Sequence, residues 1–450
     1  MRHGIEASAE RLSPNPETFC TQEYLPGPEI ISLKFDRNLL RGDSRGSESL
    51  LDRDVNDKVR VCIFGQGFVA SVFGVGLERI RAGEIEPNGV PLARDLPIPI
   101  DDIEIVGAFD VDPTKVGQSM AEVARRYLND VPAPLRGVPV LPGVHLGSLD
   151  GTPVKAEGID RDQTLRECVD ALLLEYERLA PDVFVNLCTT ERPNPIPDRK
   201  VLFGAVTRNR RKALTASQFY FYTVLRYARS HAAAFVNCIP TAIANEPALE
   251  TLAAEAGVPL FGDDGASGAT PLTSDLLEHQ RQRNRLVTSI AQFNIGGNFD
   301  FLTLTDPGRN LAKEKTKSTF VRDILGYDPP HYMKPTGYLA PLGDRKFVAM
   351  HIPYRSFNDA EDELMVLARI NDSPALAGLV VDLVRLARIC LDRGVYGAVH
   401  PVNAFYMKNP GPAGKPAIAR TEAYAELRAW LRHKTTPIVA NGGASDSAAP

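Results

Sequence analysis

The run VRVCIFGQGFVA, residues 59 to 70, decides the fold. Val59 to Phe64 is a short apolar run that reads as a buried strand. Gly65, Gly67 and Ala70 follow it, and Val72, Val75, Leu77 and Ile80 then recur at helical spacing. A strand, G-x-G-x-x-A and a helix in that order form the dinucleotide fingerprint. The glycines permit a tight turn and close approach of a pyrophosphate, whose charge meets the helix N-terminus. Gly65, Gly67, Phe68, Val69 and Ala70 are therefore expected to hold a dinucleotide, with a plain glycine-rich turn as the alternative.

The strands on either side extend this reading. IEIVGAF, residues 103 to 109, ends at Asp110 and then Asp112. An acidic residue there commonly takes the ribose hydroxyls and favours NAD over NADP. Asp110 lies farther from Gly67 than the usual ~20 residues, so the proline-rich residues 82 to 101 are an insertion. VFVNLC (183 to 188) and AAFVNCI (233 to 239) read as further strands, each with an asparagine at the same relative place. Asn186 and Asn237 are positioned either to contact the cofactor at carboxyl strand ends or to form turns. Between them the basic, aromatic segment 208 to 230 has Phe219, Phe221, Val224 and Leu225 at helical spacing. That pattern favours a core-facing helix over a base-stacking platform for nucleic acid.

Composition bounds the rest. At 450 residues the chain is long enough for two or three domains, and its net charge of -5 gives no global attraction to nucleic acid or anionic membrane. Six scattered cysteines show no CxxC pair and no metal-ligand spacing, which fits a reduced compartment. The N-terminus lacks the apolar core of a signal peptide, and no run reaches the ~20 apolar residues of a membrane span. A soluble cytoplasmic protein is expected, with no nucleic-acid or membrane partner and no metal-ligand residues singled out, metal or monovalent-cation dependence being left open.

Downstream, GDDGASGAT (262 to 270) places Asp263 and Asp264 beside Ser267, Gly268 and Thr270, a loop suited to cradle a phosphate or to recruit a cation. The stretch from Asn294 to Phe320 groups Asn294, Gly297, Asn298 and Asp300 ahead of Lys313, Lys315 and Lys317. Strand or helix geometry would gather these lysines on one face, and alone the stretch reads as a solvated basic loop. Residues 343 to 354 form a turn and strand carrying Lys346, and Asp372 to Val395 is an amphipathic helix with Pro374 near its start and Gly394 at its end. Lys408 precedes a Pro/Gly turn, and a helix through Trp430 leads into a small-residue tail. The expected division is an extension (1–57), a Rossmann-type domain (58–262), an inserted α+β substrate and catalytic domain (263–372), returning C-terminal helices (373–435) and a tail (436–450). The fold class is α/β.

Ten pieces in one order resemble the myo-inositol-3-phosphate synthase family, closer to its shorter prokaryotic members: GQGFVAS, FDVDPTKVG, FVNCIP, GDD with SGAT, NIGGNFDF, KEKTKS, GDRKFVAM, NDSPALAG, LDRGV and FYMKNP. The resemblance runs from about Val59 to Pro412, weakly over 130 to 180. It implies NAD as cofactor and a sugar phosphate as substrate: oxidation of glucose 6-phosphate at C5, intramolecular aldol closure, and reduction back, with no net redox. It also implies a homotetramer. By motif match, Lys313 and Lys346 would stabilise oxyanions and transfer protons, Lys317 and Lys408 would hold phosphate and sugar oxygens, and Asp264 would position them. Asp372 matches the aspartate of the family's DSP motif and joins the cofactor set, while Lys315 has no motif counterpart and is left to solvent. Three departures stand out: Ala266 where the family has a lysine, Phe68 where relatives have asparagine, and Phe299 in place of methionine. They leave open a paralogous cyclase that acts on another hexose or ketose phosphate. An ordinary dehydrogenase and a non-catalytic sensor are the remaining alternatives.

Overall fold

The structure is a computed structural model that describes residues 58–433, without the side chains of residues 311–319 and of Lys334. The expected extension and tail lie outside the described residues.

In chain order the strands are β1 (Val59–Phe64), β2 (Ile103–Asp110), β3 (Val140–Pro142), β4 (Val183–Asn186), β5 (Ala234–Asn237), β6 (Pro259–Phe261), β7 (Leu286–Val287), β8 (Ile290–Gly296), β9 (His331–Tyr338), β10 (Arg345–Arg355), β11 (Glu361–Asn371) and β12 (Gly397–Ala398). Seven of them form a parallel sheet in the order β12-β6-β5-β4-β1-β2-β3. Strand β1 is the hinge of this order, because the chain moves outward from it in both directions. Such a switch point opens a crevice at the carboxyl ends of the strands.

Residues of β1 alternate between two cores, as a two-faced buried strand requires. Val61 and Ile63 pack with Phe73 and Val75 of the helix Phe68–Arg81 and with Leu383, Val384 and Ala387 of the helix Asp372–Arg393. Cys62 and Phe64 face Tyr176, Phe184, Phe219 and Phe235. The aromatic segment expected as a core helix spans Ala216–Tyr227, and it is buried along nearly its whole length. Each fully buried Leu or Phe contributes roughly 1.5–3 kcal/mol, so these two cores hold the sheet that carries the cavity.

The proline-rich insertion is pinned by the buried end of the fold. Arg385 donates to Ile98 O (2.7 Å) and Leu92 O (3.2 Å), while Asp382 accepts from Leu92 N (2.7 Å) and Tyr406 Oη (2.8 Å). Burial pushes the Asp382 carboxyl up and the Arg385 guanidinium down.

The second sheet has the order β11-β10-β8-β9, with β7 paired to β10. It is antiparallel except for β8 beside β9. The Asn294–Phe320 stretch is neither loop nor extended chain beyond Gly296. It contains the short helix Phe299–Thr303, capped by Asn298 Oδ1 accepting from Phe301 N, and most of the helix Pro307–Leu325. Asp306 caps the latter with Pro307 at its first position, and Gly326 ends it in the left-handed region.

Candidate functional site

A cavity of about 620 Å³ lies against the carboxyl ends of the parallel strands. Its size suits a cofactor or substrate. One side is the turn of residues 65 to 70. Gly65 has φ +93°, and a Cβ there would lie 2.7 Å from Leu187 O, so only glycine fits. At Gly67, the N-cap of the Phe68–Arg81 helix, no atom of the described residues lies within 4 Å of a would-be Cβ. This open cradle at a helix N-terminus fits a pyrophosphate. Phe68, Val69 and Ala70 line the same wall, with Phe68 stacked on Tyr127.

Asp110 also lines the cavity, yet its carboxylate is taken up by its own surroundings. Oδ1 accepts from Val111 N (2.8 Å) and Asp112 N (2.9 Å), and Oδ2 from Gln66 N (2.9 Å) and Lys115 Nζ (3.2 Å). Asp110 ties the glycine-rich turn to the end of β2 while standing on the cavity where the ribose contact was expected. Asn186 and Asn237, expected either at the cofactor or in turns, lie behind the cavity. Both are fully buried and neither lines the cavity. Asn186 Nδ2 donates to Asn237 Oδ1 (2.9 Å), and Asn237 Nδ2 donates to Thr241 O (2.7 Å) and Asp263 Oδ1 (2.7 Å). They stitch adjacent strands, and an asparagine with its amide so engaged has little left to offer a ligand.

The opposite side of the cavity gathers charge from distant segments. Lys346 Nζ, on β10, donates to both oxygens of Asp372, at 2.8 and 2.9 Å. Gly268 (φ +75°) backs this pair, and any Cβ there would collide with Lys346 Nζ. Lys408 Nζ donates to Asp264 Oδ1 (3.0 Å), and the two residues are also joined by Lys408 N donating to Asp264 O (2.6 Å). Asp264 Oδ2 is buried without a partner among the described residues. A buried carboxylate oxygen left so is costly unless a ligand donates to it. Ser267, Thr270, Asn294, Asn298 and Asp300 complete this wall.

Two expected members sit behind the wall. Gly297 packs under the turn 339–343, where a Cβ would strike Leu339 O and Gly343 N. Asp263 is wholly buried, accepting from Asn237, Ile243, Ala244 and Asn245, so the two adjacent aspartates do not form a cation or phosphate cradle together. Burial holds the Asp263 carboxyl above its usual range. Among the described residues no cluster of three or more His, Cys, Asp or Glu is arranged for a metal. Ala266, where a lysine was expected, is buried and off the cavity.

Lys313 and Lys317 lie on the helix Pro307–Leu325, but their side chains, like that of Lys315, are outside the described residues. Their helix is fixed one turn earlier. Arg309 is 2% exposed and donates to the carbonyls of Thr190, Ser148 (2.9 Å) and Asp150 (3.0 Å). Burial lowers its affinity for the proton. Thr190 Oγ1 also donates to Asp300 Oδ1 (2.8 Å), and Arg192 bridges Asp306 (2.8 Å). Positions 309, 313 and 317 follow at steps of four, a single stripe of the helix.

Sequence reasoning missed Arg309, Lys115 and Asp344. Asp344 accepts from Asn298 Nδ2 (3.0 Å), Ser373 N (2.8 Å) and Ser373 Oγ (2.8 Å), joining the Asn298 turn to the start of the Asp372–Arg393 helix. Its signal was present, since it precedes Lys346 by two in the GDRK turn.

Comparison with known proteins places this arrangement. Residues 268–373, which include Lys313, Lys317, Lys346 and Asp372, match the family model described as myo-inositol-1-phosphate synthase. Inositol-3-phosphate synthase of Mycolicibacterium smegmatis is 28% identical over 387 residues, 81% of this chain and 96% of that protein. The crystal structure of inositol-3-phosphate synthase from Caenorhabditis elegans shares the fold at 16% identity, with a TM-score of 0.70 over 82% of this chain and 84% of that one. A crystal structure of a myo-inositol-1-phosphate synthase-related protein from Thermotoga maritima is 57% identical, with a TM-score of 0.80 over 83% of this chain and 98% of that one. With the Gly-rich turn and the Lys346 and Lys408 pairs on one cavity, the chain belongs to the myo-inositol-1-phosphate synthase family.

Proposed function

We propose that this protein is an NAD-dependent cyclase of a sugar phosphate, converting glucose 6-phosphate to myo-inositol 3-phosphate. The observation that carries the reading is that the Gly67 cradle and two lysine–carboxylate pairs line one cavity. NAD held at the residue 65–70 turn would supply the hydride acceptor and return the hydride at the end. The chain's own groups would do the remainder. Lys346 keeps an N–H beyond its two bonds to Asp372 and would stabilise the oxygen that gains negative charge on enolisation and aldol closure. Lys408 would hold phosphate or sugar oxygens, with Asp264 Oδ2 accepting from a substrate hydroxyl. Lys313 and Lys317 complete the proposed set, with Lys313 sharing proton transfer.

Ala266 favours a second reading. With no lysine at that place, a paralogous cyclase closing another hexose or ketose phosphate to a different ring is the alternative.

We further propose a cytoplasmic homotetramer. Among the described residues no helix is long and apolar enough to cross a membrane. On one face of the second sheet Met365 and Leu367 are about three-quarters exposed beside Phe293 and Tyr332, an apolar surface that a second copy of the chain would cover.

Mass spectrometry of products from a panel of hexose and ketose phosphates with NAD tests the reading. Cyclitol phosphate from glucose 6-phosphate supports it, product only from a ketose phosphate selects the alternative, and steady accumulation of NADH contradicts both.

A further inference from the structure

The end of β2 holds an arrangement that the dinucleotide reading leaves unused. Asp110 accepts four hydrogen bonds from its own neighbourhood, which fills the roughly four lone-pair sites of a carboxylate. A ribose hydroxyl gains nothing from it unless one of those bonds breaks. Two residues on, Asp112 is different. Its Oδ1 is stapled to Thr114 N (2.9 Å) and Thr114 Oγ1 (2.7 Å), while its Oδ2 faces Lys115 Nζ at 3.9 Å, beyond hydrogen-bond reach. Both Asp112 and Lys115 line the cavity, with side chains 16% and 14% exposed. Lys115 has three N–H groups and uses one on Asp110.

The local charges decide what such a corner selects. Lys115 neutralises Asp110, so the carboxylate of Asp112 is the remaining charge of the trio. A carboxylate accepts from a ribose diol and repels a 2′-phosphate, whereas a cation beside the ribose accommodates that phosphate. We infer that Asp112 is the gate that selects a 2′-hydroxyl over a 2′-phosphate on the adenosine ribose, and that Lys115 is a cation already in place for the phosphorylated cofactor once that one charge is removed. The inference rests on the reading of the cavity as a dinucleotide site, and it moves specificity from Asp110 to the pair two and five residues further on.

Asp112→Asn is the sharp test, because it removes the charge but keeps an oxygen for Thr114. The full-length protein would be titrated with NADH and NADPH, monitored by nicotinamide fluorescence, as wild type, D112N, K115M and D112N/K115M. Melting temperature would be measured alongside to show that each variant is folded. Wild type should bind NADH about tenfold or more tighter than NADPH, and D112N should tighten NADPH about tenfold while NADH weakens by about threefold or more, because the amide nitrogen that replaces Oδ2 accepts nothing from a ribose hydroxyl. Adding K115M to D112N should abolish that gain. The inference is overturned if D112N shifts both cofactors equally or leaves NADPH unchanged, or if the gain survives K115M. Should folded wild type bind neither dinucleotide, the cofactor reading itself fails and the gate with it. NADH binding by wild type with no selective response to D112N removes the gate alone.

Discussion

Beside the glycine-rich turn Asp110 accepts four hydrogen bonds, three of them from backbone N–H groups, whereas across the cavity Lys346 and Lys408 each lean on one carboxylate, from 26 and 144 residues away. The first arrangement is closed before any ligand arrives. The second keeps donors and one buried acceptor, Asp264 Oδ2, in reserve. A rigid, internally satisfied wall suits binding and orientation, and incompletely satisfied charges suit stabilisation of charge that appears only during reaction. Changes to the two sides should therefore separate binding from chemistry.

The largest separation is expected from Lys346→Met. Turnover should fall by about 10²–10³-fold, with NADH affinity by fluorescence titration unchanged. Equal losses in both would break the division between the two sides. Asp264→Asn strips Lys408, whose side chain is 12% exposed, of its counter-charge. Leaving a buried cation unpaired costs about 3 kcal/mol, to be read as a lowered urea midpoint together with reduced turnover. Arg309→Ala removes three carbonyl contacts between the lysine-bearing helix and the loops of Ser148 and Thr190, and should destabilise by about 2–3 kcal/mol, with Arg309→Lys recovering part of the loss.

Within the glycine-rich turn Gly65 and Gly67 sharpen the contrast. Gly65→Ala meets Leu187 O and a positive φ, so it should destabilise the fold. Gly67→Ala meets no described atom within 4 Å. Its stability should stay within about 0.5 kcal/mol of wild type while NADH affinity falls, because the cofactor is what would occupy that space.

The smallest effect concerns pH. Glu191 is buried at the start of the Ala216–Tyr227 helix, accepting from Ala216 N (2.8 Å). Burial, outweighing hydrogen bonds from Ser217, Ala216 and Thr241, raises its carboxyl above the ordinary 4.5. The folded state then holds the proton more tightly than the unfolded one, so stability falls as pH rises from about 4.5 through the raised value. Relative to wild type, Glu191→Gln should gain stability over that window in urea titrations, and a flat difference would refute the assignment.

The parallel sheet was legible because each of its motifs is local: six apolar residues, two glycines and a periodic helical pattern suffice for β1 and the Phe68–Arg81 helix. The surroundings of Asp110, Asn186 and Asn237 were hidden for the opposite reason. Their positions at strand ends are local, but their partners, Gln66, Lys115, Thr241 and Asp263, arrive from other turns and saturate them. The helix Pro307–Leu325 announced itself through Asp306, Pro307 and Gly326, signals that the interest in its lysines obscured. Lys346 and Lys408, singled out by motif resemblance, both line the cavity, yet nothing in spacing alone pairs Lys408 with Asp264. Arg309 gave no sign, since a buried arginine held by three carbonyls looks in sequence like any charged residue on a helix.

In the proposed reaction one cavity carries out both redox half-steps on one substrate. Glucose 6-phosphate deuterated at C5 tests this directly, with the product isolated and the nicotinamide pool examined by mass spectrometry. The proposed cyclase should yield a cyclitol phosphate that retains the deuterium, with no net NADH. Deuterium accumulating in free NADH, beside an oxidised sugar phosphate that never closes its ring, would contradict it.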